Sequence, residues 1–456
     1  MTGSPGGAGE LRRTLGFTDL VMLTLGTVIG SGIFLVPSVV LRQTGGRLGI
    51  ALSVWLIGGV LSFLGALTYA ELGASNPDAG GLYAYIRDAF GPLPAFLYGW
   101  TSFLVIASGS VATLAVAFSN YLGQLIPLEH TGARVASTLM IIVIAAVNVR
   151  GARESSSVEN WTTGLKVGAL LLLSIALIAL GQGHSAAPPT SAAAGTDVTP
   201  LMSLLAGIGL AMIGILWAYE GWQYVTFSAG ETRDPQRVFP RALAVATGAL
   251  VVLYMLANLG YVAALGVHGV ASSDHVAADA MRVVFGPLSG KFFTLLVLVS
   301  IFSAANGIVL TAPRLYYSMA RDGVFFSRLA HVNARFGTPV AAIVLLSGWS
   351  VLLAVSGTFE QLLTYVVFTG WIFYGLGAAS IFVLRRTRPN APRPFRAPGY
   401  PITPLLFVAS AALLVLNTLR EQPTRALIGI GVVLLGTPAY YIWRARARRS
   451  SLPGIG

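Results

Sequence analysis

Two residues of this sequence carry charge where charge is costly: Lys166, in Asn160-Trp161-Thr162-Thr163-Gly164-Leu165-Lys166-Val167-Gly168, and Glu220, in Trp217-Ala218-Tyr219-Glu220-Gly221-Trp222-Gln223. Both fall within apolar runs long enough to cross a bilayer, where a charged side chain costs about 2.5–3.5 kcal/mol on insertion scales and marks function. The chain has only two lysines, and the other, Lys291, falls at the edge of a run. An ammonium at 166 offers a fixed positive charge able to bridge the first helix to its neighbours where other membrane proteins hold a cation. The competing reading is snorkelling, since Lys166 stands within about two turns of one end of its run. A second chemistry is that of the backbone. Val28-Ile29-Gly30-Ser31-Gly32-Ile33-Phe34 and the stretch around Glu220 each place a glycine-bearing polar knot in the middle of an apolar run. A helix broken in lipid leaves N–H and C=O groups that must line a cavity or bind something. Free N–H groups after Gly30 and Gly32, at the positive end of a helix dipole, suit a carboxylate. The unwound carbonyls, with those of the second knot, suit an ammonium. Together they form a clamp for a zwitterion, walled by Trp217, Tyr219 and Trp222; for Trp222 ordinary packing competes with that role.

The elements that must position these groups are membrane helices. The chain is 55% hydrophobic and 10% charged, with a mean hydropathy of +0.75, far from the balance of a soluble domain. At about 20 residues per span, twelve runs qualify, at 17–40, 49–73, 92–121, 132–149, 158–182, 200–228, 238–265, 287–318, 338–356, 360–385, 402–419 and 424–443. Residues 1–16 read as an N-terminal tail, 17–182 as a first unit of five spans, 183–199 as an outer loop, and 200–386 as a second unit of five. The Pro/Arg-rich stretch 387–401 reads as an extended connector, 402–443 as two further spans, and 444–456 as a basic tail. Each unit opens with its knot, and Gly30 and Gly221 lie 191 residues apart. Five is odd, so the second unit enters from the opposite side, predicting an inverted repeat with both broken helices at its centre. Residues 268–285 carry a mildly amphipathic pattern that predicts a short helix over the outer vestibule.

Charge orders the topology. The net charge of +12 is not a nucleic-acid signature, because the arginines follow the spans. Arg12, Arg13, Arg87, Arg150, Arg153, Arg233, Arg237, Arg241, Arg314, Arg321, Arg328, Arg335, Arg385, Arg386 and those of the connector and C-terminal tail fall on one side; Arg42, Arg47, Arg134, Arg282, Lys291, Arg420 and Arg425 fall on the other. This roughly three-to-one bias predicts both termini in the cytoplasm, with the basic patches against anionic lipid. The first run is too long for a cleaved signal segment and leads into the knot.

Enzymatic chemistry has little support. His130, His184, His268, His275 and His331 map to loops or span edges without a metal-like spacing to a carboxylate. No cofactor or metal site is expected. There is no cysteine, hence no disulfide. Ionisable residues at depth are Lys166 and Glu220, with Glu71 and Arg314 near helix ends.

At this point the motifs become specific. Val28–Phe34 resembles the first-helix signature of the amino acid–polyamine–organocation transporters. Trp217–Trp222, followed by Ala229-Gly230-Glu231-Thr232-Arg233-Asp234-Pro235 and Phe239-Pro240-Arg241-Ala242, is similar to their sixth helix and its exit loop. Ser303-Ala304-Ala305-Asn306-Gly307 and Pro313–Gly323 resemble the eighth helix of the L-type amino acid transporter branch. The resemblance implies the five-plus-five fold shared with neurotransmitter–sodium symporters. It further implies a substrate site at Val28, Ile29, Gly30, Ser31, Gly32, Trp217, Ala218, Tyr219 and Glu220. There Ser31 and Gly32 would donate to the carboxylate, and the carbonyls of Val28, Trp217 and Glu220 would take the ammonium. Trp217 would shutter the site, and Lys166 would stand in for sodium. Two features depart from the pattern. Animal light chains of this branch carry a cysteine for a heavy chain, absent here, which implies a bacterial-type, partner-free carrier of the inner membrane. Glu220 stands where many relatives have glycine or another residue, leaving the charge preference open. The expected function is sodium-independent exchange of neutral L-amino acids by alternating access. Proton-coupled symport is the alternative, and outside transport, an amino acid sensor or a polytopic enzyme.

Overall fold

The computed structural model describes residues 13–77, 80–182 and 201–450. The tail as far as Arg12 and residues 78–79, 183–200 and 451–456 lie outside them. Among the described residues there is no β-strand, and the one isolated bridge joins Leu15 to Thr232. The first half comprises α1 (Phe17–Val28), α2 (Gly32–Gln43), α3 (Leu48–Ser75), α4 (Leu82–Phe90), α5 (Pro92–Thr101), α6 (Ala107–Leu122), α7 (His130–Arg150) and α8 (Ala152–Leu180). The second comprises α9 (Leu201–Ala218), α10 (Pro235–Ser272), α11 (Val276–Phe285), α12 (Pro287–Thr311), α13 (Pro313–Arg321), α14 (Val340–Ser356) and α15 (Phe359–Thr387). Two further helices follow, α16 (Ile402–Glu421) and α17 (Pro423–Ser450). A π-helical turn, Ser102–Ile106, joins α5 to α6, and a 3-10 helix, Trp222–Glu231, follows α9.

Local signals set the helix ends. Pro92, Pro235, Pro287 and Pro313 each open a helix, where a missing N–H costs nothing and φ is already helical. Thr358 and Gln361 form a reciprocal capping box at the start of α15. The long α10 is interrupted at Gly266, whose φ of 70° is non-helical, so its spanning part ends where hydropathy placed it.

All twelve predicted runs contain helix. Ten described helices are long and apolar enough to cross a membrane, eleven when α1 and α2 are taken as one span bent by 44°. The difference lies in α14, whose 17 residues extend only about 25 Å. α11 is the short helix expected between 268 and 285. The connector folds into turns: the Arg393 guanidinium donates to the carbonyls of Pro389 and Arg388, and Glu71 of α3 accepts from Arg385 and from the Ala397 N–H at 2.6 Å.

Spans differ in depth. Those at Pro92–Leu122 and Pro287–Arg321 are mostly buried inside the bundle, whereas α16 and α17 expose most of their surface. α1 packs on α8, α10 and α12, and α2 packs on α9 and α10, so both breaks lie inside the bundle. One end of the bundle is closed. The Thr14 and Leu15 N–H groups donate to the Glu231 carbonyl, and the Arg233 N–H donates to the Leu15 carbonyl at 2.8 Å. The Glu231 carboxylate accepts from buried Arg314 at 3.0 Å, and Asp322 accepts from Arg87 and from the Tyr83 hydroxyl, both at 2.8 Å. The other end opens on a cavity of about 530 Å³ lined by α2, α6, α9, α15, α17 and the residues before α11, among them Arg42, Asn120, Tyr121, Gly214, His275, Glu360 and Arg425.

Candidate functional site at the two helix breaks

α1 stops at Val28 because Ile29 leaves helical geometry (ψ 85°), and the Gly30 N–H turns back to the Val28 carbonyl at 2.8 Å. Ser31 then caps α2. α9 stops at Ala218, and Gly221, at φ 132°, turns the chain into the 3-10 helix. That left-handed value is open to glycine and strained for other residues. The breaks touch: the Thr27 hydroxyl donates to the Gly221 carbonyl at 3.1 Å. A side chain at Gly32 would place its Cβ 2.5 Å from the Ala218 Cα, so the space that glycine leaves is filled by the other break. The Tyr254 hydroxyl of α10 lies 3.2 Å from the Val28 carbonyl and 3.0 Å from that of Ala218, in reach of both.

Between the breaks is a cavity of about 20 Å³ lined by Thr27, Val28, Gly30, Ser31, Gly32, Ser110, Leu114, Trp217, Glu220, Gly221, Tyr224 and Ile308. It therefore gathers Val28, Gly30, Ser31, Gly32, Trp217 and Glu220 of the predicted set. Ile29, Ala218 and Tyr219 support it from outside; the Tyr219 ring packs on Trp55 and Tyr254. Trp222 packs edge-on against Tyr69 and Phe407, the packing role. Trp217 stands three residues beyond Gly214, on the helix face that leads from the wide cavity to the small one. Glu220 is 8% exposed. Its Oε1 accepts from the Tyr374 hydroxyl at 2.8 Å and from Gln223 Nε2 at 3.4 Å, while Oε2 has no partner. Ser31 Oγ, fully buried, has none either.

Lys166 turns inward, at 3% exposure, and does not snorkel. Its Nζ donates to the carbonyls of Gly26 at 2.6 Å, Ile29 at 2.8 Å and Ser300 at 3.4 Å. It thus ties α8 to the first break and to α12 without lining the cavity. Sequence pattern alone did not single out Glu159, two turns earlier on the same helix face as Lys166. Its carboxylate is buried and accepts from Ser303 at 3.1 Å, Thr163 at 3.3 Å and Asn306 at 2.9 Å. The i, i+7 spacing from Lys166 is the signal that would have found it. Tyr254, Tyr374, Gln223 and Glu231 give no such signal, since nothing in their local sequence tells which helix they face. At the wide cavity, burial pushes the His275 imidazole below its ordinary range, with Asp279 and Asp274 opposing the shift.

Two discontinuous helices that meet around a small polar cavity in a bundle of apolar spans define a secondary membrane transporter. The chain belongs to the amino acid permease family, whose model matches residues 15–435; this is a family of permeases, not of enzymes. It is 30% identical over 444 residues to the large neutral amino acids transporter small subunit 2 of Mus musculus, covering 96% of this chain and 82% of that protein. It is 30% identical over 449 residues to the cystine/glutamate transporter of Homo sapiens, covering 96% and 87%. Identity is 32% over 452 residues to the Asc-type amino acid transporter 1 of Mus musculus, covering 96% and 83%.

Proposed function

We propose that this chain is a sodium-independent amino acid carrier that works by alternating access, exchanging neutral L-amino acids across the cytoplasmic (inner) membrane with both termini in the cytoplasm. The observation that carries this reading is the Lys166 ammonium bonded to the Gly26 and Ile29 carbonyls: a fixed cation at the first break takes the place of a sodium ion. The relatives named above differ in the amino acids their names specify but share the class. α1 to α8 and α9 to α15 are read as two inverted repeats of five spans, joined through 387–401 to α16 and α17. Residues 17–182 and 200–386 are their bounds, with α4 and α11 as non-spanning additions. Ser31 and Gly32 are assigned to the substrate carboxylate, Val28, Ile29, Gly30, Ala218 and Tyr219 to the walls of the clamp, and Trp217 to the gate. The closed end is assigned to the cytoplasm and the 530 Å³ cavity to the outside. With no cysteine, this chain can form no disulfide with a partner.

Proteoliposome counterflow tests the reading. Labelled amino acid should accumulate when unlabelled amino acid is loaded inside, and replacing sodium with choline should leave the rate unchanged. Dependence on sodium would overturn it. Proton-coupled symport is favoured by one observation, the buried unpartnered Glu220 carboxylate oxygen in the cavity. An imposed pH gradient driving uptake into empty vesicles would establish that alternative.

A further inference from the structure

Several carbonyls around the small cavity already accept a hydrogen bond. Gly26 and Ile29 accept from Lys166, and Ile29 also from the Ser300 hydroxyl at 2.9 Å. Val28 accepts from the Gly30 N–H, Trp217 from the Glu220 N–H, and Gly221 from the Thr27 hydroxyl; the Tyr254 hydroxyl lies in reach of Val28 and Ala218 and donates to one of them at a time. An ammonium entering here shares the remaining backbone lone pairs with these donors. It finds Glu220 Oε2, buried, on the cavity wall and without a partner. Tyr374 and Gln223 hold Oε1 from behind, which fixes the carboxylate with its second oxygen free. Glu220 forms no ion pair among the described residues. A buried carboxylate without a counter-charge is unfavourable until a cation joins it.

We propose that the Glu220 carboxylate seats the α-ammonium of the substrate, adding a charged acceptor to the surrounding backbone carbonyls. The inference rests on the amino acid carrier reading and names the group that reads the ammonium. The second orphan, Ser31 Oγ, borders the same space beside the first N–H groups of α2, where a carboxylate is favoured. Because both orphans line one small cavity, the two charges they receive must stand close together. The ammonium and carboxylate of an α-amino acid share one carbon, whereas a lysine or arginine side-chain cation lies several bonds away. The pair therefore selects the α-amino acid head group and leaves the side chain to the apolar walls.

The test is equilibrium binding to the purified full-length protein in nanodiscs, by calorimetry, with L-alanine, L-leucine, L-lysine and the remaining common amino acids, and with L-lactate as the alanine analogue lacking the ammonium. Wild type that binds none of the amino acids defeats the carrier reading itself. Wild type that binds some, with Glu220→Gln raising Kd by about 30-fold or more for every one of them and narrowing the preference for L-alanine over L-lactate, supports the proposal. An unchanged Kd in Glu220→Gln, or a loss confined to cationic amino acids, overturns it. If Glu220→Gln does not give a monodisperse protein, Glu220→Asp decides: it keeps the charge but withdraws it by one methylene. A uniform rise in Kd across side chains supports the assignment, and an unchanged Kd overturns it.

Discussion

The two ends of this bundle are held by different means. At one end buried Arg314 and Glu231 pair at 3.0 Å, with the backbone of Thr14 and Leu15 laid over them. At the other, charged residues such as Arg42, Glu360 and Arg425 line a 530 Å³ cavity without closing it. The difference teaches where the free energy of gating is stored. A desolvated pair resists separation because each partner would be left buried and unmatched, while solvated charges at a wide mouth cost little to rearrange.

The comparison breaks most visibly at the closed end. Arg314→Ala should leave Glu231 buried and unpaired, destabilising the fold by about 3–5 kcal/mol and opening this end to solvent. Thermal unfolding, with thiol labelling of single cysteines introduced into the cysteine-free chain, reads both effects; unchanged labelling near Leu15 would deny the latch. Next is Lys166→Ala, which removes a contact between α8 and the first break. If that contact is better in one conformation than the other, exchange rates should fall by roughly 5–150-fold while Kd moves less. Wild-type exchange from both faces would reduce Lys166 to a structural bond. Trp217→Ala, between the two cavities, should slow flux more than it weakens binding, since occlusion suffers before contact does. Equal losses in flux and Kd would make the indole a contact only. The smallest effect belongs to the open end. His275 takes a proton less readily folded than unfolded, so its contribution to stability is present above the ordinary histidine range and is lost as pH falls through it. The melting temperature should decline slightly between pH 7 and pH 5.5, and His275→Gln should flatten part of that slope.

The sequence placed the spans and both breaks because apolar length and glycine-bearing knots are local signals. Val28, Gly30, Ser31, Gly32, Trp217 and Glu220 were legible for that reason, and they do share one cavity. What surrounds them was not. Tyr254 and Tyr374 act through hydroxyls that reach the breaks from distant helices, and no local pattern announces a tertiary contact. Glu159 was hidden by its position near the expected span edge, although its bonding partners bury it. Gly32 was legible as a glycine but not for the right neighbour: the close approach is that of Ala218.

The Tyr254 hydroxyl has one hydrogen and faces two carbonyls, Val28 at 3.2 Å and Ala218 at 3.0 Å. It can satisfy only one of them well at any instant. If the two chain segments drift apart, the hydrogen follows whichever carbonyl stays near, and a hydrogen bond survives on either course. The side chain thus behaves as a slip joint: it keeps the segments aligned while they share a position, yet lets them part without leaving its own oxygen stranded.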